Sequence, residues 1–149
     1  MFVNIHISHR QEQSAGVDAF LFFRIPAVDN SIPNRLGFRF TANRGRLLEN
    51  AVFLELKRRG CEVYYFSGKN ECDFLIRDNL RVTEAMQVVY ELNAENIQRE
   101  IDGLTEAMHT FDIPKGTLIV FDAHPYQIEL PQGVSVISAG EWMLISPAG

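Results

Sequence analysis

The fold is decided by residues 45–90, which read GRLLENAVFLELKRRGCEVYYFSGKNECDFLIRDNLRVTEAMQVVY. The first part, GRLLENAVFLELKRRG, has the apolar spacing of an amphipathic helix, with Leu48, Val52 and Leu56 on one stripe. Gly60 is expected to be the residue that ends this helix. The remainder holds three strand-like runs, CEVYYFS, ECDFLIR and EAMQVVY, and a GKN turn joins the first two as a hairpin. This stretch therefore predicts one helix followed by three strands.

The segments on either side extend this pattern. Residues 17–28, VDAFLFFRIPAV, alternate in the manner of a buried strand. Asn43 is a plausible N-cap of the first helix, and Asn93 is the expected cap of a second helix over about residues 94–109. Further strands are expected at residues 117–121, 127–130 and 134–137, with a strand or a helical turn at residues 140–145. The sequence thus predicts an α/β fold with a mixed sheet and flanking helices.

Size and composition indicate one globular domain. The chain has 149 residues, 46% of them hydrophobic, which is enough for a packed core. We divide it into an N-terminal extension with a strand (residues 1–40), a core (residues 43–122) and C-terminal strands (residues 123–149). No apolar run approaches the roughly 20 residues that span a bilayer, and no signal peptide is recognisable. Cys61 and Cys72 form no CxxC pair and are expected to be reduced, which indicates a cytoplasmic location.

Charge is distributed unevenly along the chain. Residues 1–70 hold ten basic and six acidic side chains, whereas residues 71–149 hold four and thirteen, for a net charge of −5. A freestanding nucleic-acid binder is usually basic, so the total argues against that role. The basic half includes Arg44, Arg46 and Lys57, which form either a local basic patch or a solvated helix face.

Three polar side chains occupy positions that should be packed. Glu49 lies beside the apolar stripe of the first helix, where a carboxylate is costly unless it meets a cation or a metal. Asp73 lies within a strand, where aspartate is disfavoured. Gln87 lies on the next strand. We expect these three residues to converge on one pocket.

The order of elements and these three residues together resemble a known superfamily. An acid on the helix (Glu49 in GRLLEN), an Asp on the second strand (Asp73 in ECDFLI) and a polar residue on the third (Gln87 in MQVVYEL) resemble the core of the PD-(D/E)XK nucleases. Within that superfamily, these stretches and NIQREIDGL are similar to an uncharacterised C-terminal domain of prokaryotic AAA+-type ATPases, over about residues 18–145. The resemblance implies a restriction-endonuclease-like αβββαβ core. The ATPase module is not part of this sequence, which implies a remnant or a shortened relative.

The resemblance also assigns roles to the site residues. It implies that Glu49, Asp73 and Gln87 are the catalytic residues and that they hold Mg²⁺ or Mn²⁺ for cleavage of DNA. The superfamily's Glu-x-Lys places correspond to Gln87 and Val89, and a valine can neither orient a water molecule nor stabilise negative charge. Losing one such stabiliser costs about 10²–10³ in rate. The resemblance therefore implies a degenerate nuclease-like domain that is weakly active or inactive.

Several alternatives remain open at this stage. Arg99 could supply a substitute cation or pair with Glu95 or Asp102. Glu49 could pair with a nearby basic residue, and Asp73 could simply accept hydrogen bonds in a polar pocket. The whole domain could then be a non-catalytic regulatory or interaction module. DNA, an ATPase module or partner, and a second copy paired through an apolar edge such as LFFRI are the partners we expect.

Overall fold

The computed structural model describes residues 20–22, 40–122 and 129–145, and the side chains of residues 44–122 and 129–145. The elements in this part of the chain are, in order, β1 (Phe20–Phe22), α1 (Phe40–Arg58), β2 (Glu62–Ser67), β3 (Glu71–Asp78), β4 (Arg81–Val89), α2 (Ile97–Phe111), β5 (Gly116–Val120), β6 (Val134–Ser138) and α3 (Ala139–Leu144). The predicted order of helix, three strands, helix and strand is therefore confirmed.

The strands form one mixed sheet in the order of the sequence. β1, β2, β3 and β4 pair antiparallel with their neighbours, whereas β4, β5 and β6 pair in parallel. A parallel neighbour requires a long crossover, and α2 provides it between β4 and β5. The parallel strands β4 and β5 are rich in buried aliphatic residues, as strands covered on both faces are. The α/β fold with a mixed sheet and flanking helices is confirmed.

Two apolar clusters lie on opposite faces of the sheet. The first packs α1 and α3 on one face, through residues such as Leu48, Val52, Phe74, Met86 and Trp142. The second packs α2 on the other face, through residues such as Phe66, Leu75, Ala85 and Leu104. Neighbouring residues in one strand belong to different clusters because successive side chains of a strand point to opposite faces. The helices thus cover both sides of the central strands.

Arg59 joins the end of α1 to α3. Its Nη2 donates to the Trp142 carbonyl oxygen at 2.9 Å, and its guanidinium carbon lies 4.4 Å from the Trp142 ring centroid. Its Nε donates to Glu55 Oε1 at 2.8 Å. Hydrogen bonds from Arg58 and Arg59 lower the pKa of Glu55 to about 2. These contacts hold the short helix α3 against the end of α1.

The beginnings of both long helices differ from the prediction. α1 begins at Phe40, so Asn43 is inside the helix and is not its N-cap. No proline or glycine interrupts residues 40–44, and each further helical residue adds a hydrogen bond once a helix has started. α2 begins at Ile97 with Asn96 as its cap. Asn93 Oδ1 instead accepts hydrogen bonds from the backbone N–H groups of Glu95 and Asn96, which is the geometry of an Asn-initiated turn.

The two ends of the chain agree with the prediction in part. A strand is present at Phe20–Phe22, and the rest of the strand predicted over residues 17–28 lies outside the described residues. The strand predicted over residues 134–137 is observed as β6. Residues 139–144 form a helix, so the C-terminal segment does not consist of strands alone. A capping box between Ser138 and Glu141 starts this helix. Glu129 and Leu130 are not in a strand, and residues 127–128 lie outside the described part.

In residues 20–22, 40–122 and 129–145, no helix has the length and apolar character that crossing a bilayer requires.

Candidate functional site

A cavity of about 650 Å³ opens where β3 and β4 separate. Its lining comes from α1, the β2–β3 turn, β3, β4, the segment after β4 and the start of α2. Glu49, Asp73 and Gln87 all line it. The structure therefore brings together the three residues that the sequence singled out, and their catalytic roles stay predictions.

Side chains replace the backbone ladder between β3 and β4 at this cavity. The paired residues run from Asp78 and Arg81 to Phe74 and Met86. Beyond that point the Asp73 N–H donates to Gln87 Oε1 at 3.1 Å, and the Val88 N–H donates to Asp73 Oδ2 at 2.9 Å. This explains an aspartate within β3, because its carboxylate accepts a hydrogen bond from a backbone N–H of β4 that the backbone of β3 no longer pairs.

Gln87 also contacts a buried carboxylate on α2. Its Nε2 donates to Glu100 Oε2 at 2.7 Å, and both residues are only 7% exposed. Glu100 Oε1 accepts from Arg99 Nε at 3.1 Å and from Arg99 Nη2. The hydrogen bond and charge of Glu100 raise the pKa of Arg99. The chain Asp73–Gln87–Glu100–Arg99 is therefore a continuous hydrogen-bonded network along the cavity wall.

Sequence reasoning did not identify Glu100, and it gave Arg99 the wrong partner. Arg99 pairs with Glu100, not with Glu95 or Asp102. Asp102 instead accepts from Gln98 Nε2 at 2.8 Å. A signal for Glu100 was present in the sequence, since it lies three residues after Ile97 and four before Leu104, on the apolar stripe of α2. The same argument identified Glu49 on α1.

Val89 is part of the core. It is 7% exposed and packs with Leu92, Leu118 and Val120 between α2 and the parallel strands. The cationic side chains that line the cavity are those of Lys69 and Arg99. The position that the resemblance assigns to a catalytic lysine therefore holds an apolar packing residue.

Glu106 on α2 fixes the turn that carries Lys69. Its carboxylate accepts from the backbone N–H groups of Lys69 (2.7 Å) and Asn70 (2.9 Å) and from Asn70 Nδ2 (2.7 Å). Burial raises the pKa of Glu106, but these hydrogen bonds from Lys69 and Asn70 outweigh burial, and the net pKa lies below its usual range. The helix on one face of the sheet thus sets the shape of the cavity's rim.

We expect Glu106→Ala to lower the free energy of unfolding by about 1.5–3 kcal/mol at pH 7, because the turn loses hydrogen bonds to a charged acceptor. The folded pKa of Glu106 is depressed, so its contribution is present above the unfolded pKa of about 4.3 and is lost as pH falls through the folded pKa. Urea unfolding at pH 7 and pH 3 measures this. Glu106→Gln keeps one acceptor oxygen and should lose less stability; equal stability of wild type and Glu106→Ala at pH 7 would contradict the assignment.

Cys72 lies beside Asp73 and is fully buried. Its thiol donates to the Met86 carbonyl oxygen at 3.4 Å. Burial, with the nearby charge of Asp73 second, raises the pKa of this thiol well above its usual range. Cys61 is partly buried, and neither cysteine is in a disulfide. Cys72 is therefore a packing residue in its protonated form and not a nucleophile.

The expected ligands of a divalent cation are also hydrogen-bonded to the backbone in this arrangement. Mg²⁺ requires near-octahedral oxygen ligands, most of them carboxylates or waters. Within the described residues, no group of three or more His, Cys, Asp and Glu side chains is placed to hold an ion. Gln87 Oε1 and Asp73 Oδ2, two of the oxygens expected to be ligands, accept backbone N–H groups instead. Binding of Mg²⁺ or Mn²⁺ by Glu49, Asp73 and Gln87 stays a prediction.

Comparison with known proteins gives a partial match. No family model matches the chain, and no solved structure matches it at a significant level. A protein of Methanocaldococcus jannaschii, itself described as uncharacterized, is 47% identical over 74 residues. The match covers 46% of this chain and 16% of that protein, so the chain corresponds to only a small part of the relative's length. Part of this chain is thus similar to a segment of a larger archaeal protein.

Proposed function

We propose that this chain is a nuclease-like domain of the PD-(D/E)XK type whose catalytic site is degenerate. One observation carries the proposal: α1, β3 and β4 bring Glu49, Asp73 and Gln87 to a single cavity at the point where two strands separate. The order of elements supports it, because the αβββαβ arrangement is the one that the resemblance implies. The ligand of such a domain would be DNA.

Two features of the cavity support loss of catalysis. Gln87 uses both ends of its amide within the protein, its oxygen for Asp73 and its nitrogen for Glu100. Val89 is packed in the core at the place of the missing lysine. A water molecule in this cavity would lack the full ligand charge, and it would lack a cation at position 89 to stabilise the developing negative charge. We therefore propose binding without efficient cleavage.

A second candidate is a regulatory or interaction module that acts on a protein partner. The hydrogen-bonded network from Asp73 to Arg99 favours it, since its two buried members, Gln87 and Glu100, satisfy each other and give a rigid site without any chemistry. The partner proposed for either function is an ATPase module or a separate ATPase, and the proposed location is the cytoplasm. A homodimer stays a further proposal.

The test is cleavage of branched, single-stranded and duplex DNA in Mg²⁺ or Mn²⁺. We expect little or no cutting by the wild type, since one lost stabiliser costs about 10²–10³ in rate. The double substitution Gln87→Glu with Val89→Lys restores the Glu-x-Lys pattern, and we expect it to cut DNA in a metal-dependent manner. The cut should be lost again when Asp73→Ala or Glu49→Ala is added.

The matched control is Gln98→Glu with Val82→Lys, which makes the same two types of change on α2 and β4 at residues that do not line the cavity. Cutting by this control would mean that added charge alone is responsible. A folded restored variant that neither cuts DNA nor gains thermal stability with Mn²⁺ would contradict the nuclease-like proposal and favour the interaction module.

A further inference from the structure

An aromatic pair lies at the carboxyl ends of the two central parallel strands. Val89 of β4 is paired with Val120 of β5, so the next residues, Tyr90 and Phe121, emerge side by side at the same edge. Their rings are stacked, with centroids 4.7 Å apart and an interplanar angle of 22°. Ligands of α/β sheets bind at this edge, outside the carboxyl ends of parallel strands.

The aromatic pair is partly exposed to solvent within the described residues. Phe121 is 53% exposed, although it directly follows the fully buried Val120. Its ring stacks on Tyr90 and leaves about half of its surface to solvent. Tyr90 itself lines the cavity that holds Asp73 and Gln87. The stacked pair therefore extends the candidate site outward.

A cationic side chain stands beside the pair. The guanidinium carbon of Arg44 lies 5.7 Å from the Tyr90 ring centroid, and Arg44 is exposed near the start of α1. Inside the cavity the charge is opposite, because acidic residues outnumber the two cations; the acids are Glu49, Glu71, Asp73, Glu91 and Glu100. A phosphate group would therefore be favoured near α1 and disfavoured in the cavity, whereas the uncharged, donor-bearing edge of a base suits the acidic wall.

We propose that Tyr90 and Phe121 form a stacking platform for an unpaired nucleobase, with Arg44 near the start of α1 contacting a flanking phosphate. The ligand class is single-stranded nucleic acid, or an unpaired nucleotide at a branch or end. Aromatic side chains bind single strands in this way because every base has a π-face, whereas a base within a duplex is already stacked on both sides. The inference rests on the proposed function, since it assigns the substrate class of that same cavity.

The experiment measures binding of the full chain to fluorescein-labelled 15-nucleotide DNA, the same sequence as RNA, and the corresponding duplex, in EDTA so that no cleavage occurs. We expect both single strands to bind more tightly than the duplex. Phe121→Ala should weaken single-strand binding roughly tenfold or more, because stacking on an aromatic side chain contributes about 1–3 kcal/mol per base. Phe121→Trp should keep or strengthen binding.

A second readout separates stacking from a general loss of structure. 2-Aminopurine in the single strand should be quenched by the wild type and much less by Phe121→Ala, while the thermal melting curves of the two proteins remain alike. The control is Leu80→Ala, which removes an apolar side chain that is 86% exposed in the β3–β4 turn. It should bind as the wild type does.

Three results would overturn the platform: no single-strand binding by the wild type, equal binding of single strand and duplex, or wild-type affinity in Phe121→Ala. If Phe121→Ala binds DNA with wild-type affinity, DNA does not contact the Phe121 ring, and that ring would then be available to an apolar protein partner. Failure of the proposed function is distinct, because it is measured as cleavage by the Gln87→Glu, Val89→Lys variant. That variant can cut duplex DNA with the platform disproved, or stay inactive while Phe121→Ala abolishes single-strand binding.

Discussion

Gly103→Ala is expected to lower the free energy of unfolding by about 2–3 kcal/mol, a net effect of overpacking minus the better helix propensity of alanine. Gly103 is buried in α2. A Cβ atom at this position would lie well inside 3.0 Å of the Glu71 carbonyl oxygen, which is a backbone atom at the start of β3 and cannot rotate away. Helix and strand would have to move apart. Urea unfolding followed by the fluorescence of Trp142, the single tryptophan of the sequence, measures the change.

The displacement should also reach the cavity. Glu71 lies two residues before Asp73, and both line the cavity, so a shift of this strand end would lengthen the hydrogen bonds between Asp73 and β4. We therefore expect faster hydrogen exchange at the Asp73 and Val88 amides of Gly103→Ala than in the wild type.

Gly45→Ala is the matched control on the other helix. Gly45 is inside α1, and among the described residues a Cβ atom there would meet no atom of another element within 4 Å. Alanine should stabilise the helix by about 0.5–1 kcal/mol. Equal stabilities of Gly103→Ala and the wild type would mean that α2 does not approach β3 as closely as described.

Gln87→Glu is expected to lower stability by about 2–4 kcal/mol at pH 8, because it faces one buried carboxylate with another. The Gln87 amide nitrogen lies 2.7 Å from Glu100 Oε2, so the substitution replaces a hydrogen bond with like-charge repulsion. In the variant, burial and the nearby like charge are expected to hold the pKa of the new carboxylate at position 87 above its unfolded value. Stability relative to the wild type is then highest below the unfolded pKa of about 4.3 and falls as pH rises through the folded pKa. Thermal melting between pH 4.5 and pH 8.5 measures this slope.

The exchanged pair Gln87→Glu with Glu100→Gln is the control. It keeps one amide and one carboxylate at the contact, so most of the stability should return and the slope with pH should disappear. Millimolar Mn²⁺ should also recover part of the loss in Gln87→Glu, since a cation that binds only the folded state stabilises it. A single variant whose melting temperature follows that of the wild type at every pH would show that residues 87 and 100 do not face each other.

Much of the architecture was readable from local patterns. The stripe of Leu48, Val52 and Leu56 predicted α1, and the GKN turn predicted the hairpin of β2 and β3, because both signals depend on residues close in sequence. Asp73 was unusual for a strand, and the structure supplies the reason, because its carboxylate accepts a hydrogen bond from the Val88 N–H on β4.

What could not be read required knowledge of contacts across the fold. Asn43 and Asn93 have the right chemistry for caps, but helix beginnings depend on which turn the surrounding packing extends. Helices capped by these residues would begin at residues 44 and 94, and the actual helices begin four residues earlier and three residues later. Glu100 became a site residue only through Gln87, thirteen positions away on another element. Phe121 was predicted to be in a buried strand, yet β5 ends at Val120, and only the parallel register with β4 shows that its ring meets Tyr90.

The two cysteines differ in exposure, and their rates of alkylation can therefore report local opening of the sheet. A thiol reagent attacks only an accessible, ionised sulfur. Cys61 is partly exposed, whereas Cys72 is fully buried and its burial raises the pKa of its thiol. Its modification must therefore wait until β3 pulls away from its neighbours. The delay between alkylation of Cys61 and alkylation of Cys72 therefore reports how often β3 opens locally. A ligand that stabilises β3 in its closed position would lengthen this delay without contacting either sulfur.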